Sequence, residues 1–202
     1  MPDITPEHYF SREPASAAQR RTITVRLAGR DVDVETAPGV FSPGHVDLGT
    51  RVLLRTLADE ALAGDVLDLG CGWGPIAMAM AMASPEATVW AVDVNNRSLD
   101  LLRGNAGRLG LGGVRPVAPD QVPDDVAFTA IWSNPPIRVG KEALHALLER
   151  WLPRLTHDGV AHLVVQRNLG ADSLQRWLTE VLGMPATRVA SAKGFRVLRV
   201  AR

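Results

Sequence analysis

From residue 65 onward, short apolar segments alternate with segments in which apolar residues recur at helical spacing. Residues 66–69 are typical of a short buried strand, and residues 99–109 carry apolar side chains every three or four positions, as amphipathic helices do. Repeated strand–helix units predict an α/β fold, a doubly wound and mostly parallel sheet with helices on both faces. The predicted strands are 66–69, 88–94, 114–118, 126–132, 159–165, 187–190 and 195–200, and the predicted helices are 76–83, 99–109, 144–155 and 174–182. The last two of these seven strands follow each other closely, so we expect an antiparallel pair at the end of the chain.

A different pattern precedes these units. Residues 22–34 alternate apolar and polar side chains around a turn at Ala28-Gly29-Arg30, which predicts a β-hairpin. Residues 47–62 carry leucines and valines near helical spacing, with Asp47 as the expected N-cap. We therefore divide the chain into an N-terminal extension, residues 1–46, and a main domain, residues 47–202.

The amino-acid composition limits the classes of protein to which this chain can belong. Lys plus Arg and Asp plus Glu both total 22, so the formal charge is zero, which argues against nucleic-acid binding by bulk charge but leaves room for a local patch. With one cysteine, Cys71, no internal disulfide framework exists, and a reducing cytoplasm is the expected location. We expect no metal, because the five histidines lack ligand spacing. We also expect no signal peptide and no membrane span, since no apolar run approaches the ~20 residues that a span needs.

A glycine-rich run, Asp68-Leu69-Gly70-Cys71-Gly72-Trp73-Gly74, lies between a predicted strand and a predicted helix. Ligands of open α/β sheets bind outside the carboxyl ends of strands, and glycines there let a ligand approach the backbone. A dinucleotide-binding loop that starts at Gly70 needs a small residue at position 75, but Pro75 stands there. An ordinary glycine-rich turn remains the alternative to a cofactor loop.

Two acidic residues follow later strands. Asp93 ends the predicted strand after the glycine loop, at the spacing of acidic residues that bind ribose hydroxyls. Asp120 follows the third strand, where Pro119-Asp120-Gln121 can also be a simple turn. Cys71 is expected to be a small packing residue.

The second run, Ser133-Asn134-Pro135-Pro136-Ile137, follows another predicted strand. Proline fixes φ and has no N–H to donate, so the turn is stiff and its backbone carbonyls are expected to accept no hydrogen bond within the protein. Asn134 adds a side-chain carbonyl as a further acceptor. Two such acceptors can grip both hydrogens of a planar NH₂ group and aim its lone pair at an electrophile. A turn that merely ends a strand is the alternative reading.

The two runs together resemble class I S-adenosylmethionine-dependent methyltransferases, in which an acidic residue and a G-x-G-x-G loop bind the methionine part of the cofactor. Residues from about 39 to 202 are similar to the small-domain members that methylate exocyclic amines, above all ribosomal RNA guanine-N2 methyltransferases. The likeness rests on residues 39–42, 47–50, 68–74, 134–137 with Gly140-Lys141, and 194–198. It implies a Rossmann-like, mostly parallel, seven-stranded sheet with an antiparallel last strand.

The resemblance also implies site residues. The cofactor-binding set is Phe41, Thr50, Asp68, Gly70, Cys71, Gly72, Gly74, Asp93, Val94, Asn95, Asp120 and Asn134. The catalytic set is Asn134, Pro135 and Pro136, and the substrate-contact set is Ile137, Arg138 and Lys141. Two departures stand out: Ile137 replaces the aromatic residue that many members use to stack on a base, and Thr129 replaces an acidic residue. Stacking would then fall to another residue, such as Phe41 or Trp132, or be weaker.

The expected activity is methyl transfer to an exocyclic base amine, most simply guanine N2 of ribosomal RNA, by a monomer or homodimer. Adenine N6, a protein glutamine amide and a small-molecule amine would share both motifs. A non-catalytic protein that binds S-adenosylmethionine is the remaining alternative.

Overall fold

The computed structural model describes residues 19–202, apart from the side chain of Arg138. The first 18 residues of the predicted N-terminal extension, and any substrate contact by the Arg138 side chain, therefore lie outside the described residues. The division of the chain at residue 46 stays a prediction.

The described residues form a two-stranded hairpin and a seven-stranded sheet. The strands are β1 Arg21–Leu27, β2 Arg30–Thr36, β3 Asp65–Leu69, β4 Thr88–Val92, β5 Val114–Val117, β6 Phe128–Ser133, β7 Leu155–Gln166, β8 Ala186–Ala192 and β9 Phe195–Ala201. The helices are α1 Leu48–Thr56, α2 Pro75–Ala83, α3 Asn96–Arg108, α4 Lys141–Trp151 and α5 Ala171–Glu180, with short 3₁₀ turns at Ile137–Val139, Leu152–Arg154 and Arg167–Leu169.

The large sheet has the strand order β5-β4-β3-β6-β7-β9-β8. Strands β3 to β7 are mutually parallel, and β9 runs antiparallel to both β7 and β8. The order reverses at β3, which lies between β4 and β6, and this is the position where open α/β sheets bind ligands. The predicted fold class, including the antiparallel last strand and the N-terminal hairpin, is confirmed.

Two hydrophobic cores cover the sheet. One contains Trp73, Met78 and Leu102 and is built from α2, α3, the inner side of the hairpin and one sheet face. The other contains Phe128, Trp151 and Leu174 and is built from α4, α5 and the opposite face. Because both faces are covered, the strands read as nearly continuous apolar runs in the sequence.

Two helix ends differ from the prediction for local reasons. Helix α1 ends at Thr56 rather than near Leu62, whose backbone N–H instead donates to Oγ of Ser84 at 3.1 Å. Helix α4 ends at Trp151, because Pro153 lies in a 3₁₀ turn and Leu155 already begins β7.

Candidate active site

Three strand ends meet where the sheet order reverses. The carbonyl of Val92, at the end of β4, accepts the N–H groups of Gly70 at 2.9 Å and Cys71 at 3.0 Å. The hydroxyl of Ser133, at the end of β6, donates to the carbonyl of Leu69 at 2.6 Å. The glycine loop after β3 and the Asn-Pro-Pro turn after β6 are thus brought side by side.

The first two glycines of the loop leave open space beside the backbone. Gly70 and Gly72 have φ of +77° and +55°, and no atom lies within 4 Å of where a Cβ would stand at either residue. Left-handed backbone favours glycine, and the open space lets a ligand approach the chain. The N–H of Gly72 is fixed by Oδ2 of Asp93 at 2.8 Å.

Gly74 and Cys71 have packing roles in the structure. Gly74 has φ of +98°, and a Cβ there would lie 2.1 Å from Cδ1 of Leu102, so the glycine lets α2 approach α3. The Cys71 side chain is buried, its thiol contacts the Gly72 carbonyl at 3.5 Å, and burial raises the pKa of that thiol. The expected packing role of Cys71 agrees with these contacts.

Asp68 is the most unusual group of the site. Its side chain is fully buried, and Oδ2 accepts the N–H of Ala77 at 2.9 Å while Oδ1 has no partner among the described residues. Burial raises the pKa of Asp68 to about 8, with a smaller contribution from the nearby Asp93. A buried carboxylate without a second partner is costly, so the site fits a ligand with a positively charged or donating group.

Asp93 and Asn95 shape the next loop. Oδ1 of Asp93 accepts the N–H of Asn95 at 2.9 Å, and burial raises the pKa of the Asp93 carboxyl. Asn95 caps α3 through bonds from the N–H groups of Arg97 and Ser98, and its Nδ2 donates to the carbonyl of Gly39 at 2.9 Å. The Asn95 side chain is therefore fully engaged in the fold, and β4 ends at Val92, earlier than predicted, to make room for this turn.

Residues 38–46 form a covering segment beside the loop. It is held at Gly39 by Asn95, at Pro38 by Nη1 of Arg97 at 2.7 Å, and at Ser42 by Nε1 of Trp73 at 3.2 Å. Phe41 is 39% exposed on this segment. Among the other predicted cofactor residues, Val94 is exposed after β4, and Asp120 is exposed in the turn after β5.

The Asn-Pro-Pro turn is fixed by distant side chains. Nδ2 of Asn134 donates to Oδ2 of Asp47 at 3.0 Å and to Oγ1 of Thr50 at 3.1 Å, and Thr50 is buried beneath it. Since both amide hydrogens are used, the carbonyl Oδ1 of Asn134 is left as an acceptor, and no described residue donates to it. Thr50, which the sequence assigned to the cofactor, makes its contact with Asn134.

One expectation about this turn is wrong. Both proline carbonyls already accept hydrogen bonds within the turn. The Pro135 carbonyl accepts the N–H of Ile137 at 2.8 Å, and the Pro136 carbonyl accepts the N–H of Val139 at 3.2 Å. A carbonyl has two lone pairs, so Pro135 keeps one acceptor site.

The aromatic residues near the turn also differ from expectation. Trp132 is 3% exposed and packs in the core from β6, so it cannot stack on a substrate from this position. The sequence reading missed Phe195, the first residue of β9, which is half-buried beside the start of α1. A Cβ at Gly49 would lie 2.9 Å from Cε1 of Phe195 and 3.0 Å from Oδ2 of Asp47. In the sequence, only the Gly194-Phe195 pair at the start of the closing strand indicated that Phe195 could lie near the site.

A pocket of about 180 Å³ continues from the turn between α4 and α5. Its lining includes Ile137, Lys141, Leu144, His145, Leu169 and Ser173. Two of the three predicted substrate-contact residues thus lie together on one pocket. Within residues 19–202, no group of three or more His, Cys, Asp or Glu side chains is placed to hold a metal ion. No helix in that range is both long and apolar enough to span a membrane.

Comparison with known proteins agrees with this geometry. Residues 31–199 match the family described as "Methyltransferase small domain". The uncharacterized protein YbxB of Bacillus subtilis is 33% identical over 96% of this chain and 97% of its own. The ribosomal RNA small subunit methyltransferase C of Vibrio parahaemolyticus is 37% identical over 65% of this chain and 38% of its own length. That of Stutzerimonas stutzeri is 31% identical over 94% of this chain and 57% of its own.

A solved structure extends the likeness to three dimensions. The Thermus thermophilus 16S rRNA N2 G1207 methyltransferase RsmC, in complex with AdoMet and guanosine, superposes with a TM-score of 0.81 at 25% identity, over 94% of this chain and 52% of that one. The chain thus spans between 38% and 57% of the length of these ribosomal RNA methyltransferases, but nearly the whole of YbxB. The chain belongs to the methyltransferase small domain family, and it is a class I S-adenosylmethionine-dependent methyltransferase.

Proposed function

We propose that this protein transfers a methyl group to the exocyclic N2 of guanine in ribosomal RNA. The observation that carries the proposal is the Asn134 amide, whose two hydrogens are held by Asp47 and Thr50 so that Oδ1 is presented as an acceptor. This acceptor lies next to the glycine loop, because Ser133 bonds directly to Leu69. The curated relatives that act on small-subunit ribosomal RNA, and the related structure with bound guanosine, support the choice of substrate.

The cofactor pocket is proposed from the groups that lack partners. Asp68 would receive the amino group of the methionine part, since its Oδ1 is buried and unbonded among the described residues. Gly70 and Gly72 would line the cofactor, because no described atom occupies the space beside them. Asp93 would accept from the ribose hydroxyls, for which a carboxylate already bonded to two N–H groups keeps further lone pairs.

The chain's own residues would orient the amine rather than deprotonate it. When bound, S-adenosylmethionine supplies a methyl group on a positively charged sulfur, open to attack by an amine lone pair. Oδ1 of Asn134 and the remaining lone pair of the Pro135 carbonyl would accept the two amine hydrogens and fix the direction of the nitrogen lone pair. Both acceptors also stabilise the positive charge that develops on nitrogen, so no strong base is needed before attack.

The substrate surface is proposed to continue along the pocket next to the turn. Ile137 offers apolar contact, and Lys141 places a cation at its rim for a phosphate. Enzymes that act on bases need the target outside the helical stack, which favours a single-stranded or splayed guanine. We propose that the protein works in the cytoplasm as a monomer or homodimer.

Methyl transfer from tritiated S-adenosylmethionine tests the proposal. Naked ribosomal RNA, isolated small subunits, transfer RNA and total protein are each offered, and labelled RNA is digested to nucleosides. We expect N2-methylguanosine, and we expect Asn134→Ala to reduce kcat about 100-fold or more while cofactor binding by calorimetry persists. Label in N6-methyladenosine or in protein would overturn the substrate, whereas transfer to none of the fractions would overturn the enzymatic proposal.

A further inference from the structure

We propose that Asp47 is a positioning residue for methyl transfer, acting through Asn134; the inference rests on the function proposed above. Asp47 lies 87 positions before Asn134 in the sequence, yet its Oδ2 accepts from Nδ2 of Asn134 at 3.0 Å. The contact decides which end of the Asn134 amide faces the substrate. With Nδ2 bound to a carboxylate, Oδ1 is the end that remains for an amine.

The carboxylate of Asp47 is itself held in place. Its Oδ2 accepts the N–H groups of Gly49 at 2.8 Å and Thr50 at 3.3 Å at the start of α1, where the helix dipole also favours negative charge. Gly49 leaves room for this arrangement, because a Cβ there would lie 3.0 Å from Oδ2. The group that orients Asn134 is therefore anchored by a helix rather than by a loop.

The charge of Asp47 adds to the geometry. A hydrogen bond from an amide N–H to a carboxylate is stronger than one to a neutral acceptor, and it shifts electron density in the amide toward its oxygen. Oδ1 of Asn134 then becomes a better acceptor for an amine that turns cationic during attack. Thr50, which accepts the other amide hydrogen, fixes the plane of the amide without adding charge.

Helix capping alone does not need this contact. An N-cap requires one acceptor for the N–H groups of the first turn, and Oδ2 of Asp47 fills that role by accepting from Gly49 and Thr50. The bond to Asn134 is a third one on the same oxygen. Asn caps helices about as well as Asp, so Asp47→Asn removes the charge while the cap and an acceptor oxygen remain.

The test compares Asp47→Asn with Asp59→Asn, an exposed aspartate beyond α1 that changes the net charge equally. We expect Asp47→Asn to lower kcat about tenfold, which is the effect of removing one charge-assisted contact. KM for RNA, the cofactor Kd from calorimetry and the melting temperature should stay within about twofold or a few degrees of wild type. Asp59→Asn should match wild type in kcat, KM, cofactor Kd and melting temperature. An unchanged kcat, or a loss that falls on the cofactor Kd instead, would overturn the inference.

A second readout needs no activity. In the cofactor-free protein, the side-chain amide hydrogens of Asn134, assigned by their loss in Asn134→Ala, should exchange slowly with solvent in wild type and faster in Asp47→Ala. Fast exchange in wild type would overturn the contact itself. If the wild type transfers no methyl group at all, the proposed function fails; if it does and Asp47→Asn transfers equally well, only this inference fails.

Discussion

The glycine loop and the Asn-Pro-Pro turn lie side by side, but they are held in different ways. The loop is fixed by its own backbone and by the end of the next strand, through Val92 and Asp93. The turn is fixed by the side chains of Asp47, the N-cap of α1, and Thr50 in its first turn, more than 80 positions away in the sequence. A cofactor loop can therefore be recognised from a contiguous motif, whereas the working geometry of the turn depends on residues that no contiguous motif contains.

The largest effect is expected at Asp68, the buried group of the loop. Its pKa of about 8 in the folded protein lies above the ~3.9 of an unfolded chain, so the folded state keeps a proton that the unfolded state loses. The contribution of this one group to the stability of the cofactor-free protein is therefore fully present below about pH 4 and is lost as pH rises toward 8. Between pH 5 and pH 8 this one group should cost about 3–4 kcal/mol.

Asp68→Asn should remove that pH dependence and weaken cofactor binding. Urea unfolding of both proteins at pH 5 and pH 8, without cofactor, gives the difference directly. Parallel pH curves for wild type and Asp68→Asn would show that the carboxyl is ionised in the folded protein, against our expectation.

A somewhat smaller effect is expected at Gly74, where the loop meets α3. Gly74→Ala combines left-handed backbone with a collision at Leu102, so we expect a loss of about 3 kcal/mol. Gly110→Ala is the matched control, because Gly110 has φ of +68° and no atom within 4 Å of the added Cβ. The control should lose only about 1–2 kcal/mol. Equal losses in thermal or urea unfolding would mean that packing against Leu102 contributes nothing.

Ser133 links the Asn-Pro-Pro turn to the strand before the glycine loop, so a substitution there distinguishes the effects of the turn from those of the loop. Ser133→Ala deletes the bond to the Leu69 carbonyl, for an expected loss of about 1–2 kcal/mol in unfolding free energy. The turn should lose alignment while the loop keeps its own contacts, so kcat should fall with an unchanged cofactor Kd. Ser133→Cys, of similar size but with a weaker donor, should be intermediate. A cofactor Kd that rises together with the loss in kcat would contradict this separation.

The smallest effect is expected at Thr50. Thr50→Val keeps the shape but removes the neutral acceptor beneath Asn134, so unfolding free energy should fall by about 1 kcal/mol. Thr50→Ser, which keeps the hydroxyl, is the control for the acceptor. If Thr50→Val matches wild type while Thr50→Ser loses stability, the methyl packing of Thr50, rather than its bond to Asn134, contributes to stability.

The sequence predicted those parts of the fold that depend on local pattern. Strand–helix alternation predicted the sheet, and Asp47 is confirmed as the N-cap of α1. Helix ends were less predictable, because Leu62 continues the helical spacing yet contributes to the core from an irregular segment. Spacing reports which side of the chain is buried, not which backbone hydrogen bonds form.

The site was predicted unevenly for the same reason. Asp93 was assigned from its position at a strand end, and it does fix the loop at Gly72. The burial of Trp132 and the position of Phe195 beside Gly49 depend on packing between distant elements. The sequence named Asp47 and Thr50 as a cap and a cofactor residue, and it gave no sign that both hold Asn134.

The covering segment, residues 38–46, joins these two regions physically. It is tied to α3 and Trp73 at one end and runs into Asp47, the partner of Asn134, at the other. We expect this single stretch of backbone to link the occupancies of the two proposed sites thermodynamically. Such linkage is reciprocal. If bound cofactor changes the affinity for the amine by some factor, bound amine changes the affinity for the cofactor by the same factor.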